Sequence, residues 1–437
     1  MSMDIINAAR AEIAESAAYG TLTAFFDEGS FCEIDAFAKS GDGFAEVVAG
    51  YGTVEGLPAY AFAQNTAFSG GAMSKAQAQK LKKLYALALK TGAPVVGFYD
   101  SVGGRLNQGT ELLAGAGEVL KYVSKISGAV PQVSVVLGNC LGMSALHASG
   151  ADFVIMTKDA QLSLDVTGEH ADAEYNTKHG VAALLAEDSE DAVKQARELM
   201  TYLPSNNLNP APQAEEAAPD GAETKCIVSK LMDAGSKLRL ADACGETGRI
   251  RLARLGGQVV GVVRTTGGVL DGASAAKIAK FVRFCDAFSL PVITFADCEG
   301  FGCIKSAMQV TAAYAEATTV KLSVVVGKAI GSAYVALAGT GANADMVYAL
   351  PDAVISPVNT EAAAFIMAPE RMQVPVSEQK QAADAFAQER LSAYHAAQNG
   401  YVDDIVPLEE LRAALIYALD MLAGKRVPTV AKKHSTI

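Results

Sequence analysis

Two stretches of this chain are nearly the same: Ser134-Val-Val-Leu-Gly-Asn-Cys-Leu-Gly-Met-Ser-Ala145 and, 189 residues later (323 − 134), Ser323-Val-Val-Val-Gly-Lys-Ala-Ile-Gly-Ser-Ala-Tyr334. In each, an apolar run ends in Gly-x-x-x-Gly, which predicts a buried strand that passes directly into a helix. A repeat of this length indicates a duplicated domain, because solenoid units repeat every ~20 to 50 residues.

The similarity continues on both sides of the two stretches. Upstream, Pro94-Val-Val-Gly-Phe-Tyr-Asp100 matches Pro291-Val-Ile-Thr-Phe-Ala-Asp297. Downstream, Ala151-Asp152 matches Ala344-Asp345. Strand and helix patterns alternate in both halves, which indicates an α/β fold in each.

The segment between the halves differs in composition. From Leu203 to Gly221 it is rich in Pro, Asn and Glu and poor in apolar residues, as linkers are. We therefore predict a first domain at residues 1–202, a linker at 203–224 and a second domain at 225–437.

The hydrophobic patterns predict the main elements of each half. Predicted strands lie at 44–51, 58–64, 94–99, 133–138, 259–264, 292–296 and 322–326. Predicted helices lie at 5–19, 74–90, 109–125, 142–149, 274–288, 311–319 and 331–339, and residues 360–400 are mostly helical. Glu55-Gly56 is predicted as a turn, and Ser74 as a helix cap.

Composition narrows the classes of function. The net charge of −12 argues against nonspecific nucleic-acid binding, which requires a basic surface. Seven cysteines without regular spacing fit a reducing compartment, so we expect a cytoplasmic protein. Cys298 and Cys303 lack a second pair and a nearby histidine, so we expect no metal site. We also expect neither a secretory signal nor a membrane span.

The repeated turns are candidate anion sites. Backbone N–H groups at the start of a helix have no partner within it, and the helix dipole adds positive potential there. The candidate donors are the amides of Met143, Ser144, Ser332 and Ala333, after Gly142 and Gly331. Two adjacent donors of this kind can hold an oxyanion such as the enolate of a thioester. The alternative is a glycine turn that only packs a helix against a sheet, and the second copy favours the anion site.

A second candidate site follows the predicted strand that ends near Asp100. Gly103, Gly104 and Arg105 combine a flexible backbone with one guanidinium group. Backbone amides and an arginine together suit a phosphate or a carboxylate, so these residues are predicted to bind substrate.

Cys140 is a third candidate. Gly138-Asn-Cys-Leu-Gly142 fits a nucleophile elbow after a strand, with His147, His170 or His179 as a base. The second copy has Ala329 at the position of Cys140, which favours a buried cysteine without a catalytic role.

Several motifs resemble the carboxyltransferase family of biotin-dependent acyl-CoA carboxylases and decarboxylases, such as propionyl-CoA carboxylase beta and methylmalonyl-CoA decarboxylase alpha. The first is Ser69-Gly-Gly-Ala-Met-Ser-Lys-Ala-Gln-Ala-Gln-Lys80, and the next is Ser101-Val-Gly-Gly-Arg105. Phe281 to Asp297 is similar almost residue for residue, and Lys328-Ala-Ile-Gly-Ser-Ala-Tyr334 continues the resemblance.

The resemblance implies two tandem crotonase-like domains. It implies that an acyl-CoA binds the first domain with its thioester oxygen at the Met143 and Ser144 amides. Biotin on a separate carrier protein would bind the second, with its ureido oxygen at the Ser332 and Ala333 amides. Implied partners also include biotin carboxylase or membrane decarboxylase subunits, and the chain would form a homo-oligomer, from dimer to hexamer.

One departure from the family leaves an alternative open. The segment from Asp100 to Ser134 spans 34 residues, whereas that from Asp297 to Ser323 spans 26. The family's longer loop here carries a Gly-rich Arg-His segment near biotin, and this chain has none. The alternative is therefore a non-catalytic CoA-binding or scaffold subunit.

Overall fold

The computed structural model describes residues 3–40, 43–165, 169–220, 226–428 and 430–432. The chain divides into two compact units, Met1–Pro212 and Gln213–Ile437. Each unit has its own sheet of eight strands.

The elements of unit 1 alternate as the sequence predicts. Its strands are β1 (Cys32–Glu33), β2 (Lys39–Ser40), β3 (Gly43–Phe44), β4 (Val47–Val54), β5 (Leu57–Gln64), β6 (Val95–Ser101), β7 (Gln132–Leu141), β8 (Phe153–Thr157), β9 (Gln161–Ser163) and β10 (Leu184–Ala186). Its helices are α1 (Met3–Ala14), α2 (Ala17–Phe25), α3 (Lys75–Thr91), α4 (Thr110–Ile126), α5 (Met143–Ser149), α6 (Ala173–Lys178) and α7 (Ser189–Met200).

Unit 2 repeats this order. Its strands are β11 (Leu238–Leu240), β12 (Gly248–Leu255), β13 (Gln258–Thr265), β14 (Val269–Leu270), β15 (Val292–Cys298), β16 (Gly300–Phe301), β17 (Lys321–Ile330), β18 (Met346–Ala349), β19 (Val354–Ser356) and β20 (Asp404–Ile405). Its helices are α8 (Ile227–Leu231), α9 (Gly272–Ala287), α10 (Ile304–Glu316), α11 (Thr360–Met367), α12 (Val376–Arg390), α13 (Ala393–Gln398) and α14 (Leu408–Leu422).

The two sheets have the same topology. Unit 1 has the order β1-β4-β5-β6-β7-β8-β10, and unit 2 has the order β11-β12-β13-β15-β17-β18-β20. The first three strands of each order are antiparallel, and every later pairing is parallel. The predicted α/β fold is confirmed in both halves. The first five residues of each central strand, β7 and β17, are buried, as expected for a sheet covered on both faces.

Some predicted boundaries are wrong. The helix predicted at 5–19 is broken, because Ser16 caps a second helix by accepting the N–H of Tyr19. The helix predicted at 311–319 begins earlier, at Ile304. The predicted cap at Ser74 is confirmed, since its hydroxyl accepts the N–H of Gln77. The sequence did not predict β12 or α14.

The segment after Asp297 is shorter than its counterpart after Asp100 at two places. Helix α10 has 13 residues where α4 has 17. The connection before α10 is residues 299–303, which include β16, whereas the connection before α4 is residues 102–109. The deletion therefore shortens both the helix and its approach, while the strands on either side keep their pairing.

The predicted linker is anchored along its described part, and residues 221–224 lie outside the described residues. Within unit 1, the amide of Asn206 donates to Gly92 O at 2.8 Å. Within unit 2, Ala214 N–H donates to Gly257 O at 3.1 Å. The segment is thus held by a side-chain hydrogen bond of Asn206 before Pro212 and by a backbone hydrogen bond of Ala214 after it.

Substitution of two equivalent glycines tests whether the linker is anchored at Gly257. Gly56 (φ +76°) and Gly257 (φ +78°) occupy equivalent hairpin turns, but an added Cβ meets nothing at Gly56 and lies 2.1 Å from Ala214 O at Gly257. Gly56→Ala should destabilise unit 1 by about 1 to 2 kcal/mol through backbone strain alone. Gly257→Ala should destabilise unit 2 by at least about 1 kcal/mol more, because the linker must move. Denaturant unfolding of both variants measures the difference, and equal losses would contradict the anchoring.

Candidate active site

The turn after β7 brings the two predicted donors of unit 1 together. Gly142 has φ +59° and ψ −123°, a conformation that favours glycine, and its N–H donates to Ser163 O at 2.9 Å. Helix α5 begins at Met143, so the amides of Met143 and Ser144 lie in its first turn. No acceptor within the helix is available to amides at these positions.

The turn after β17 has the same construction. Gly331 has φ +52°, and its N–H donates to Ser356 O at 2.8 Å. Val335 N–H donates to Gly331 O at 3.2 Å, as Leu146 N–H does to Gly142 O. Ser332 and Ala333 therefore start the following helical segment, which continues as a π-helix over Tyr334–Ala338.

Each turn is positioned by an aspartate for which the sequence predicted no role. Asp100 Oδ1 accepts the N–H of Asn139 at 3.1 Å, and Asp297 Oδ1 accepts that of Lys328 at 2.9 Å. A Cβ added at Gly138 would lie 2.6 Å from the Asp100 carboxylate, and one added at Gly327 would lie 2.5 Å from that of Asp297. The first position of Gly-x-x-x-Gly must therefore be glycine, because any side chain there would collide with the aspartate carboxylate.

These aspartates lie at matching irregularities in the strand pairing. The register of β6 on β7 shifts between Tyr99 and Ser101, and that of β15 on β17 shifts between Ala296 and Cys298. Beyond the shift, the ends of β7 and β17 also pair with the short strands β9 and β19. The aspartates and the short strands together fix where each turn lies. The signal was present in the sequence, since both aspartates occupy the same place in the repeat.

In unit 1 a buried polar network connects the turn to the loop after β6. Gln64 Nε2 donates to Ser144 Oγ at 3.3 Å, and Ser144 Oγ donates to Ser101 Oγ at 3.2 Å. Ser101 Oγ in turn accepts the N–H of Gly103 at 3.2 Å. Unit 2 has Ala333 at the position of Ser144, so this network belongs to the first copy.

Arg105 is engaged with the protein itself. Its Nη1 contacts Glu46 Oε1 at 2.7 Å and Ser40 Oγ at 2.7 Å, and Glu46 is buried. Its backbone N–H donates to Met73 O at 2.9 Å. The geometry makes this arginine a support of the Gly103–Gly104 loop, with its charge largely balanced by Glu46.

Met143 projects towards that same loop. A Cβ added at Gly104 would lie 2.8 Å from Met143 Cε and 2.7 Å from Leu112 Cδ2. Met143 packs beside a small apolar cluster of Met73, Leu112 and Ala116. The equivalent residue of the second copy is Ser332, so only the first turn has this apolar wall.

The surroundings of Cys140 do not suit a nucleophile. Its side chain is fully buried in the core of unit 1, and burial raises the pKa of its thiol. His147 Nε2 is instead hydrogen-bonded to Tyr85 OH at 2.7 Å, and burial lowers the pKa of this imidazole to about 3. His170 and His179 stack on Tyr175 at the surface. No histidine is hydrogen-bonded to Cys140 within the described part of the chain.

Unit 2 has a cavity of about 420 Å³ beside the end of β17. Lys328 Nζ forms an ion pair with Glu299 Oε1 at 2.9 Å in its wall. It is lined by Gly267, Gly268, Asp297, Glu299, Gly327, Lys328, Asp352, Val354, Thr360, Asp384, Ala387 and Gln388. The first copy has Val102 and Asn139 at the positions of Glu299 and Lys328, so this ion pair is specific to unit 2.

Comparison with known proteins identifies the family. The model of the carboxyl transferase domain matches residues 15–437. The chain belongs to the carboxyl transferase family. It is 33% identical to the methylmalonyl-CoA decarboxylase subunit alpha of Veillonella parvula, over 95% of this chain and 92% of that protein. It is 32% identical to the propionyl-CoA carboxylase beta chain of Saccharopolyspora erythraea, over 94% and 88%.

The fold of this carboxyl transferase is similar to that of transcarboxylase 12S, solved as a hexamer with methylmalonyl-CoA and methylmalonic acid bound. The TM-score is 0.89 at 30% identity, and the match covers 98% of this chain and 94% of the other. The predicted pair of crotonase-like domains is confirmed. Within the described residues, no helix is long and apolar enough to cross a membrane.

Proposed function

We propose that this chain is a carboxyltransferase subunit that moves a carboxyl group between biotin and a short-chain acyl-CoA. The observation that carries the proposal is the pair of equivalent turns, each with two first-turn amides, in a chain of this family. The relatives include a methylmalonyl-CoA decarboxylase subunit and a propionyl-CoA carboxylase chain, which supports methylmalonyl-CoA with propionyl-CoA as the substrate pair. Malonyl-CoA with acetyl-CoA is the alternative pair that the family resemblance implies.

Each turn has one role in this proposal. The Met143 and Ser144 amides hold the thioester oxygen of the acyl-CoA, which becomes negatively charged as the enolate forms. The Ser332 and Ala333 amides hold the ureido oxygen of biotin. Biotin, when bound, supplies the nitrogen that accepts or releases the carboxyl group. Asp100 and Asp297 fix the strand ends, so the donors are oriented before substrate arrives.

The residues of unit 2 fit a neutral ureido group. The donors are backbone amides, which need no particular side chain, and Ser332 and Ala333 are small. The same proposal has further parts. The chain acts with a biotin carrier protein and with biotin carboxylase or membrane decarboxylase subunits. It forms a homo-oligomer and is cytoplasmic. These parts rest on the sequence and the family, and size measurement of the purified chain tests the oligomer.

Carboxyl exchange is the decisive experiment. The purified chain should exchange carboxyl groups between free biotin and either malonyl-CoA or methylmalonyl-CoA. The same acyl-CoA should raise its melting temperature, because a ligand that binds the native state stabilises it. A thermal shift without exchange would favour the scaffold subunit. If millimolar acyl-CoA gave no exchange and no thermal shift, the assignment of an acyl-CoA ligand would be contradicted as well.

Replacing Cys140 distinguishes a carboxyltransferase from a hydrolase that uses Cys140 as its nucleophile. Cys140→Ala should keep most of the exchange rate, because the sulfur is buried in the core. It should destabilise unit 1 by about 1 kcal/mol through loss of packing. Exchange kinetics and thermal unfolding measure the two effects. Complete loss of activity in a folded variant would instead support a nucleophilic cysteine.

A further inference from the structure

A cluster in unit 2 joins one cysteine to two arginines. Arg264 Nη1 lies 3.6 Å from Cys226 Sγ, and Arg251 Nη1 lies 3.9 Å from the same sulfur. Cys226 also directly precedes helix α8, at its N-cap position. Two cationic donors therefore contact this sulfur.

The two arginines need an anion. They lie on the adjacent strands β12 and β13, and Arg251 is 9% exposed. Among the described residues, which omit 221–225, no carboxylate forms an ion pair with either guanidinium. Arg251 Nε is also buried without a hydrogen-bond partner. Desolvated positive charge without a counter-charge is strongly unfavourable, so an anion at this place would be stabilised.

Cys226 can supply that anion. Burial raises the pKa of its thiol, but the nearby N–H groups at the start of α8 and the positive charges of Arg251 and Arg264 outweigh this, so the pKa lies below its ordinary value. The side chain is only partly buried, unlike those of Cys140 and Cys285. An electropositive and partly exposed environment is typical of reactive cysteines.

We propose that Cys226 is a thiolate that Arg251 and Arg264 stabilise, and that it is a site of modification by hydroperoxides. The thiolate sulfur attacks one peroxide oxygen, an S–O bond forms and the O–O bond breaks. The sulfur is oxidised by two electrons to a sulfenic acid, and the peroxide is reduced by the same two electrons. The leaving hydroxide or alkoxide takes a proton from water, and the guanidinium N–H groups stabilise its charge.

This site is separate from the proposed carboxyl transfer. Strand β15 lies between β13, which carries Arg264, and β17, which leads to Gly331. The proposal therefore stands whether or not the chain exchanges carboxyl groups. Its test uses thiol chemistry alone.

Alkylation of the full chain, mapped cysteine by cysteine by mass spectrometry, tests the thiolate. At pH 6.5, iodoacetamide should label Cys226 about tenfold faster than the exposed Cys32. The ratio of the labelling rate with the anionic reagent iodoacetate to that with iodoacetamide should be higher at Cys226 than at Cys32. Equal rates at the two cysteines would overturn the proposal.

Two arginine variants test whether Arg264 causes the fast labelling of Cys226. Arg264→Gln should slow labelling of Cys226 several-fold, while Arg239→Gln, an exposed control on β11, should not. Should Arg264→Gln fail to fold, Arg264→Lys keeps a cation and should leave Cys226 labelling faster than that of Cys32. After brief treatment with hydrogen peroxide, a dimedone adduct should appear at Cys226 and not at Cys32. No adduct, or an unchanged rate in folded Arg264→Gln, would contradict the proposal.

Discussion

Replacing Ser332 with proline should slow carboxyl exchange by about 10² to 10³-fold, as expected for removal of one oxyanion donor. Proline lacks the backbone N–H, so the substitution deletes one of the two donors proposed for the ureido oxygen. Binding of acyl-CoA, measured by thermal shift, should remain as in the wild type, because its proposed donors are Met143 and Ser144.

The local structure tolerates this change. Ser332 directly follows Gly331 at the start of the helical segment, where a proline needs no hydrogen bond from its nitrogen. Gly331 has φ +52°, outside the right-handed helical region that a following proline disfavours. The loss of rate is therefore expected in a folded protein.

Two controls isolate the amide. Ser332→Ala removes the hydroxyl and keeps the N–H, so it should exchange at nearly the wild-type rate. Ser189→Pro places a proline at the exposed first position of α7 in unit 1, and should also keep the rate. A folded Ser332→Pro variant with wild-type exchange would exclude this amide as a donor.

The repeat made the fold and the two turns predictable from sequence. An apolar run followed by Gly-x-x-x-Gly is a local signal, and it located β7, β17 and the helices after them. The strand β12 was not predicted, because arginines interrupt its apolar pattern at Arg249, Arg251 and Arg254. Its partner β13 has a longer apolar run and was found.

The supporting contacts could not be read from the sequence because they join distant residues. Arg105 has the residue type and loop expected of an anion site, yet Glu46, 59 positions away, occupies its Nη1. Cys140 matches an elbow motif, yet the packing of unit 1 buries it. In both cases the sequence gives the chemical capacity of a side chain, whereas tertiary packing decides which partner it has.

His147 should make unit 1 sensitive to acid. In the unfolded chain this histidine binds a proton near its ordinary pKa of 6.5, whereas in the folded unit burial lowers its pKa to about 3. Between these values the unfolded state binds more protons, so stability falls as pH falls. From pH 7.5 to pH 5 the contribution is about 2 kcal/mol, at 1.36 kcal/mol per pKa unit.

The surroundings of His147 explain why it stays neutral. Its ring stacks on Phe62 at 5.6 Å with an angle of 12° and meets Tyr99 edge-on, and Nε2 is bonded to Tyr85 OH. Its Nδ1 is buried and forms no hydrogen bond with any described residue. A charged imidazolium here would have no counter-ion, and the side chain lies on α5, the helix that begins with the Met143 donor.

A comparison of His147→Gln with His179→Gln tests this directly. His147→Gln should be less stable than the wild type at pH 7.5, because the stacked ring is lost. Its loss of stability between pH 7.5 and pH 5 should be smaller than that of the wild type by about 2 kcal/mol, since glutamine does not titrate. His179→Gln removes an exposed histidine of the same unit and should follow the wild-type pH dependence. Denaturant unfolding at both pH values measures these differences, and parallel curves for His147→Gln and the wild type would show that acid acts elsewhere in unit 1.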